Sequence, residues 1–131
     1  MDSPYRLVLV GTDGSPTATR AVLRAAAVAT ACEAGLIVAF VGDPEAGRPV
    51  LDRAMAALAG MVPPPQTRLL VGDPADALLG VAKAEHVDLV VVGNKGMTGA
   101  QRFLLGSVPN KVSHQAKCDV LVAHTTGAVE A

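Results

Sequence analysis

Apolar residues along this chain fall into short unbroken runs separated by longer stretches of helical periodicity. Leu7-Val8-Leu9-Val10 is the first run, closed by Gly11-Thr12-Asp13-Gly14. A run with no polar alternation suits a strand covered on both faces, as in a parallel sheet, and the Gly/Asp cluster after it is a turn signal. The period then changes. Ser15 is suited to an N-cap and Pro16 to the first helical position, and Val22, Ala25, Ala26 and Ala29 recur on one helical face until Gly35 stops the helix.

The unit then repeats. Leu36 to Val41 reads as a second strand, residues 50 to 60 as a short Ala-rich helix, and Thr67 to Val71 as a third strand. Pro63-Pro64-Pro65 is a stiff connector that cannot lie inside a helix. Asp73 and Pro74 open the next helix, whose apolar side is Leu78, Leu79, Val81 and Ala82. Asp88 to Val92 is a fourth apolar run. A Gly-rich stretch follows, then a helix through about Lys117, a fifth strand over Asp119 to Ala123, and a tail from Thr125 to Ala131. Alternating strands and helices with apolar strands imply one α/β domain over residues 1–131, with a five-stranded parallel sheet and helices on both faces. Residues 42 to 65, rich in proline, read partly as loop.

Composition narrows the function. Half of the 131 residues are apolar, so there is material for a core. Tyr5, Phe40 and Phe103 are the only aromatic residues, too few for a base-stacking platform, and a net charge of −1 gives no electrostatic pull on nucleic acid. Cys32 and Cys118 cannot build a disulfide framework and suit a reducing compartment. The start, Met1 to Arg6, lacks the features of a signal peptide, and no apolar run approaches a membrane span. A soluble, cytoplasmic protein is expected. His86, His114 and His124 are dispersed, without metal-ligand spacing. No nucleophile elbow and no Ser/His/Asp order emerges, so no catalytic residues are assigned.

Candidate chemistry concentrates after the fourth strand. Gly93, Gly96, Gly99 and Gly106 fall close together and Ser107 follows them. Glycines let backbone N–H groups approach an anion, and Ser107 can cap a helix beginning Val108-Pro109 that would point its positive end at the loop. Lys95, Arg102 and Lys111 are near enough in sequence to neutralise phosphate oxygens. The pattern is neither a Walker A loop nor a dinucleotide fingerprint. A plain turn remains open for the Gly cluster, as a backbone-bonding turn residue does for Asp13, and as solvated surface charges do for Lys95 and Arg102.

Several segments resemble the universal stress protein family, of the small single-domain, ATP-binding type: Val8 to Ser15, Asp88 to Gly96, Leu105-Gly106-Ser107-Val108 and Cys118 to Val122. Gly93, Gly96, Gly106 and Ser107 fit that family's G-x2-G-x9-G-[ST] pattern without a gap, while residues 42 to 65 are shorter than its usual insert. The resemblance implies a Rossmann-like sheet of order 3-2-1-4-5. It implies Gly93 and Gly96 near ribose and α-phosphate, Gly106, Ser107 and Val108 at the polyphosphate, Thr12 and Asp13 at the nucleoside, and Val41 at the adenine edge. It further implies ATP as ligand, with Mg²⁺ able to accompany it and cyclic AMP as the alternative, a slow ATPase or nucleotidyl-transferase as a further alternative, and a homodimer formed through strand five. In that strand order the ends of strands one and four form a topological switch point, where open α/β sheets leave a ligand crevice.

Overall fold

A computed structural model describes residues 3–94 and 107–124. Among them are five strands and four helices in strict alternation: β1 (Leu7–Gly11), α1 (Pro16–Cys32), β2 (Gly35–Val41), α2 (Pro44–Ala57), β3 (Gln66–Leu70), α3 (Pro74–Ala84), β4 (Leu89–Gly93), α4 (Ser107–Gln115) and β5 (Asp119–Ala123). The strands form one parallel sheet of order β3-β2-β1-β4-β5.

The sheet separates two cores, as its apolar strands require. Val8, Val10, Leu36, Val38 and Val91 face α1 and α2, whose Ala21, Val22, Ala25, Ala29, Leu51 and Leu58 cover them. Leu9, Ile37, Val90 and Val92 face the other way, onto Leu78 and Ala82 of α3 and Val108 and Val112 of α4. The alanines of α1 let that helix lie close on the sheet, since a small side chain keeps two backbones near without a void. With α1 and α4 on opposite faces, the chain changes side between β1 and β4.

Three βα turns share one local device. Gly14-Ser15-Pro16, Gly42-Asp43-Pro44 and Gly72-Asp73-Pro74 each put glycine at positive φ (85°, 147° and 102°), a capping side chain next, and proline at the start of the helix. Glycine reaches that backbone region without a Cβ clash, and proline gives up an N–H that has no helical partner there.

Two expectations are corrected. The helix between the second and third strands is not confined to residues 50–60 but runs from Pro44 to Ala57, capped by Asp43, whose Oδ1 accepts the Glu45 N–H at 3.2 Å. Gly47 and Pro49 lie inside it, and both weaken an isolated helix. Tertiary contact explains Gly47: a Cβ there would come within 2.5 Å of the Phe40 ring and 2.6 Å of Leu69. Gly35 does not stop α1. Glu33 takes the left-handed turn (φ 56°) with its N–H on the Thr30 carbonyl, and Gly35 already pairs with Leu7 in the sheet.

Candidate functional site

The carboxyl ends of β1 and β4 lie side by side. Val10 pairs with Val91, so Thr12 and Gly93 stand two residues beyond the same register point. On the other side Gly11 pairs with Ala39, which places Asp13 and Val41 two residues beyond that pair. Four sequence-predicted positions, Thr12, Asp13, Val41 and Gly93, therefore border one end of the sheet around the switch point. Ser107 and Val108 open α4 at the same end. Ser107, the first described residue of α4, is exposed, while Val108 is buried in the core beneath α4. Lys95, Gly96, Arg102 and Gly106 lie outside the described residues, as does Gly99.

The β1–α1 turn is held from within. Thr12 is buried, donates its N–H to the Ala39 carbonyl at 2.8 Å, and its Oγ1 accepts the Gly14 N–H at 3.1 Å. Asp13 Oδ1 accepts the Ser15 N–H at 2.9 Å, so the carboxylate does make the backbone-bonding turn left open by the sequence. That bond occupies one carboxylate oxygen. Oδ2 has no hydrogen bond among the described residues, and Asp13 is half-buried beside the crevice, so turn and ligand roles are compatible. Ser15 Oγ accepts the Ala18 N–H at 3.2 Å and caps α1.

The four helix N-termini at this end of the sheet differ in charge. The α2 cap is Asp43 with Glu45 in the first turn, and the α3 cap is Asp73 with Asp76 in the first turn. Helix α1 has a neutral cap and no acid in its first turn, and α4 likewise begins without an acid. A helix N-terminus carries partial positive charge that carboxylates offset. The two helices flanking the switch point are the two whose positive ends are not offset by their own side chains.

One sequence expectation fails here. Lys111, grouped with the phosphate-neutralising cations, instead reaches α3: its Nζ lies 2.7 Å from Asp76 Oδ1 and 3.7 Å from Asp73 Oδ2. The Asp76 carboxylate holds the Lys111 ammonium above its usual pKa. A periodicity reading places Lys111 on α4 but not which neighbouring helix it faces. Sequence reasoning also passed over a cleft of about 220 Å³ between α1 and α2, which opens on Thr12 and Gly14 and includes Arg53. Its signal would have been the full length of α2, which the proline content of that segment concealed.

The remaining candidates are structural. Cys118 packs against the α3/α4 core, and burial pushes its thiol above the ordinary range, the wrong direction for a nucleophile. His114 Nδ1 sits 2.8 Å from the Asn110 carbonyl in the last turn of α4. Among the described residues no helix is long and apolar enough to cross a membrane.

Comparison with known proteins bears on the same elements. The model of the universal stress protein family matches residues 4–59 and 46–124. Universal stress protein Rv1636 of Mycobacterium tuberculosis H37Rv is 39% identical over 146 aligned positions, covering 95% of this chain and 99% of that protein. The alignment is longer than the 131 residues of this chain, so the relative carries residues that this chain lacks. Among solved structures, a universal stress protein in complex with cAMP is 44% identical, with a TM-score of 0.75 over 93% of this chain and 98% of that one. The crystal structure of protein Rv1636 is 45% identical, with a TM-score of 0.66 over 93% and 97% of the two chains. The parallel sheet of order 3-2-1-4-5, the Thr12-Asp13-Gly14 turn at its switch point and these full-length matches agree, and the chain belongs to the universal stress protein family.

Proposed function

We propose that this protein binds an adenine nucleotide in the crevice between the ends of β1 and β4 and acts in stress response as a nucleotide-dependent sensor or adaptor. The observation that carries this reading is the acid-free pair of helix N-termini, α1 and α4, on either side of that crevice. In this arrangement Asp13 and Thr12 meet the nucleoside, the Val41 backbone meets the adenine edge, and Gly93 and Gly96 lie near the ribose. Gly106, Ser107 and Val108 hold phosphate, with Lys95 and Arg102 as its counter-charges. ATP is the first ligand, with Mg²⁺ carried on its phosphates. Cyclic AMP is the second, favoured by the 44% identical universal stress protein whose structure holds it. The protein works as a single binding domain in the cytoplasm, a setting that suits its two free thiols. Hydrolysis is incidental to binding, well below the ~1–10³ s⁻¹ typical of enzymes.

Native mass spectrometry of freshly purified protein, followed by calorimetry with ATP, ADP and cyclic AMP, tests the reading. A co-purifying adenine nucleotide, or saturable binding that Gly106→Val weakens by about tenfold (~1.4 kcal/mol), is the expected result. No binding of any of the three by the folded protein contradicts it.

The same reading includes a homodimer through β5. This strand is one edge of the sheet, and an edge offers unpaired N–H and C=O groups to another strand. Val122 is 37% exposed and Val120 and Leu121 are half-buried, with no Lys or Pro in the strand to discourage pairing. In an isologous contact each copy of this strand meets its mate, so Val122→Lys brings like charges together. Sedimentation at micromolar concentration is expected to show a dimer for the wild type and a shift toward monomer for Val122→Lys.

A further inference from the structure

A larger cleft, of about 420 Å³, lies between α3 and α4 and extends to the C-terminal ends of both helices. Sites for small molecules occupy ~300–1,000 Å³, so it has room for one. Asp76, Leu79 and Lys83 line it from one face of α3, and it therefore runs along that helix for about 10 Å. His86 and Val87 line its far end. There the chain leaves α3 through a left-handed turn at His86 (φ 57°), and Val87 donates its N–H to the Ala82 carbonyl at 2.9 Å.

The cleft changes character along its length. At one end Asp76 is neutralised by Lys111, 2.7 Å away. The middle is apolar, with Leu79, Ala82, Val87 and Ala116 belonging to the α3/α4 core or packed against it. At the far end stand Lys83, His86 and Lys117, which are exposed and whose side chains make no ion pair or hydrogen bond among the described residues. The acids next to them in the chain are engaged elsewhere. Arg68 donates from Nε and Nη2 to the two Glu85 carboxylate oxygens, at 2.8 and 2.6 Å. Asp88 Oδ2 accepts the Arg6 and Leu7 N–H groups at 2.8 and 3.0 Å, and Asp119 Oδ2 accepts the Tyr5 hydroxyl at 2.9 Å. Lys83, in the last turn of α3, also offsets the negative end of that helix, a role that requires neither the apolar trough nor Lys117.

An elongated apolar trough with unpaired cations at one end is complementary to a molecule with an anionic head and a hydrocarbon tail. We propose that the α3/α4 cleft is a second ligand site, for a medium-chain aliphatic carboxylate whose head meets Lys83, His86 and Lys117 and whose chain lies along Ala82 and Leu79. Burial of each methylene of such a chain favours binding, and the carboxylate gives the two ammonium groups a charge-assisted partner. A nucleotide fits poorly, because its sugar and base would lie against Leu79, Ala82 and Val87 with polar groups unpaired. The cleft lies on the α3/α4 face of the sheet and shares no lining residue with the β1/β4 crevice, so the inference stands apart from the nucleotide reading.

The test is calorimetric titration of the wild type with octanoate, butyrate and octylammonium, and of the double variant Lys83→Gln/Lys117→Gln with octanoate, with circular dichroism melting as the control on folding. Both lysines are exposed, so the variant is expected to melt as the wild type does. Octanoate should bind saturably at one site. Butyrate, too short to fill the trough, and octylammonium, with the opposite charge, should each bind at least about tenfold more weakly. The double variant should bind octanoate about fivefold more weakly, the size expected for two solvated charge contacts. In ¹⁵N-labelled protein, octanoate should shift the amides of Lys83, His86, Val87, Ala116 and Lys117. The inference is overturned if the folded wild type shows no saturable octanoate binding, or if butyrate or octylammonium binds as tightly. It is equally overturned if the double variant binds octanoate as the wild type does, or if the shifts centre on Thr12, Gly14 and Gly93 instead.

Discussion

The pair α1 and α4 and the pair α2 and α3 begin at the same end of the sheet with the same chemical problem, a first turn of unpaired N–H groups. They solve it differently. Asp43 and Glu45 on α2, and Asp73 and Asp76 on α3, place carboxylates over the positive helix ends, and Lys111 further neutralises the acids of α3. Helix α1 is capped by the neutral Ser15 and α4 starts with Ser107-Val108-Pro109. An acid in the first turn stabilises a helix by about 0.3–1 kcal/mol, so two of the four helices forgo that gain, and they are the two beside the switch point. Stability alone gives no reason for the difference. The anionic ligand proposed between α1 and α4 would.

The comparison can be broken by moving acids across it. The largest effect is expected from Ser107→Asp, which puts a carboxylate where phosphate is proposed to sit: nucleotide affinity should fall by tenfold or more (at least ~1.4 kcal/mol) while the urea midpoint holds or rises. Ser15→Asp retains a good N-cap and should weaken binding more modestly, again with no loss of stability. If both variants bind as the wild type does, the missing acids have no bearing on ligand.

Gly14→Ala acts on the turn itself. The residue sits at φ 85° with Val50 2.9 Å from any Cβ, so the substitution should cost about 1–3 kcal/mol in urea unfolding and should narrow the α1/α2 cleft. Caps on the other pair give the converse result. Asp43→Ala should cost about 1 kcal/mol of stability and leave nucleotide affinity unchanged, because its charge serves the helix alone.

The smallest effect concerns pH and lies away from the crevice. The Arg68 guanidinium, 2.6 Å from Glu85 Oε1, holds that carboxyl below its ordinary pKa. The stability this pair contributes is therefore present above the unfolded-state carboxyl pKa, ~4.3, and is lost as pH falls through the lower folded-state value. Glu85→Gln should remove that acid-side component from the urea midpoint measured between about pH 5 and pH 3, by a small amount because both groups are partly solvated.

The sheet was legible in the sequence because its strands are unbroken apolar runs, and Leu7–Gly11 and Leu89–Gly93 begin or end within about a residue of their sequence reading. Helix α2 was only half legible. Gly47 and Pro49 lower its local propensity, and what holds it is the fit of Gly47 against Phe40 of β2 and Leu69 of β3 together with burial of Leu51 and Leu58, tertiary contacts that local propensity does not register. The cap signal was nonetheless present, since Gly42-Asp43-Pro44 repeats Gly72-Asp73-Pro74. At the candidate site, the places of Thr12, Asp13 and Gly93 at the strand ends were legible. Lys111 was not, because its partner acids lie on another helix, and Arg53 was hidden along with the extent of α2.

The most direct measurement is amide chemical-shift mapping during titration of the ¹⁵N-labelled protein with ATP and with cyclic AMP. The account predicts saturable shifts at Thr12, Asp13, Gly14, Gly93, Ser107 and Val108, with the amides of Asp43, Glu45, Asp73, Ala75 and Asp76 unmoved. Saturable shifts centred on the N-termini of α2 and α3, or none at millimolar nucleotide, would contradict it.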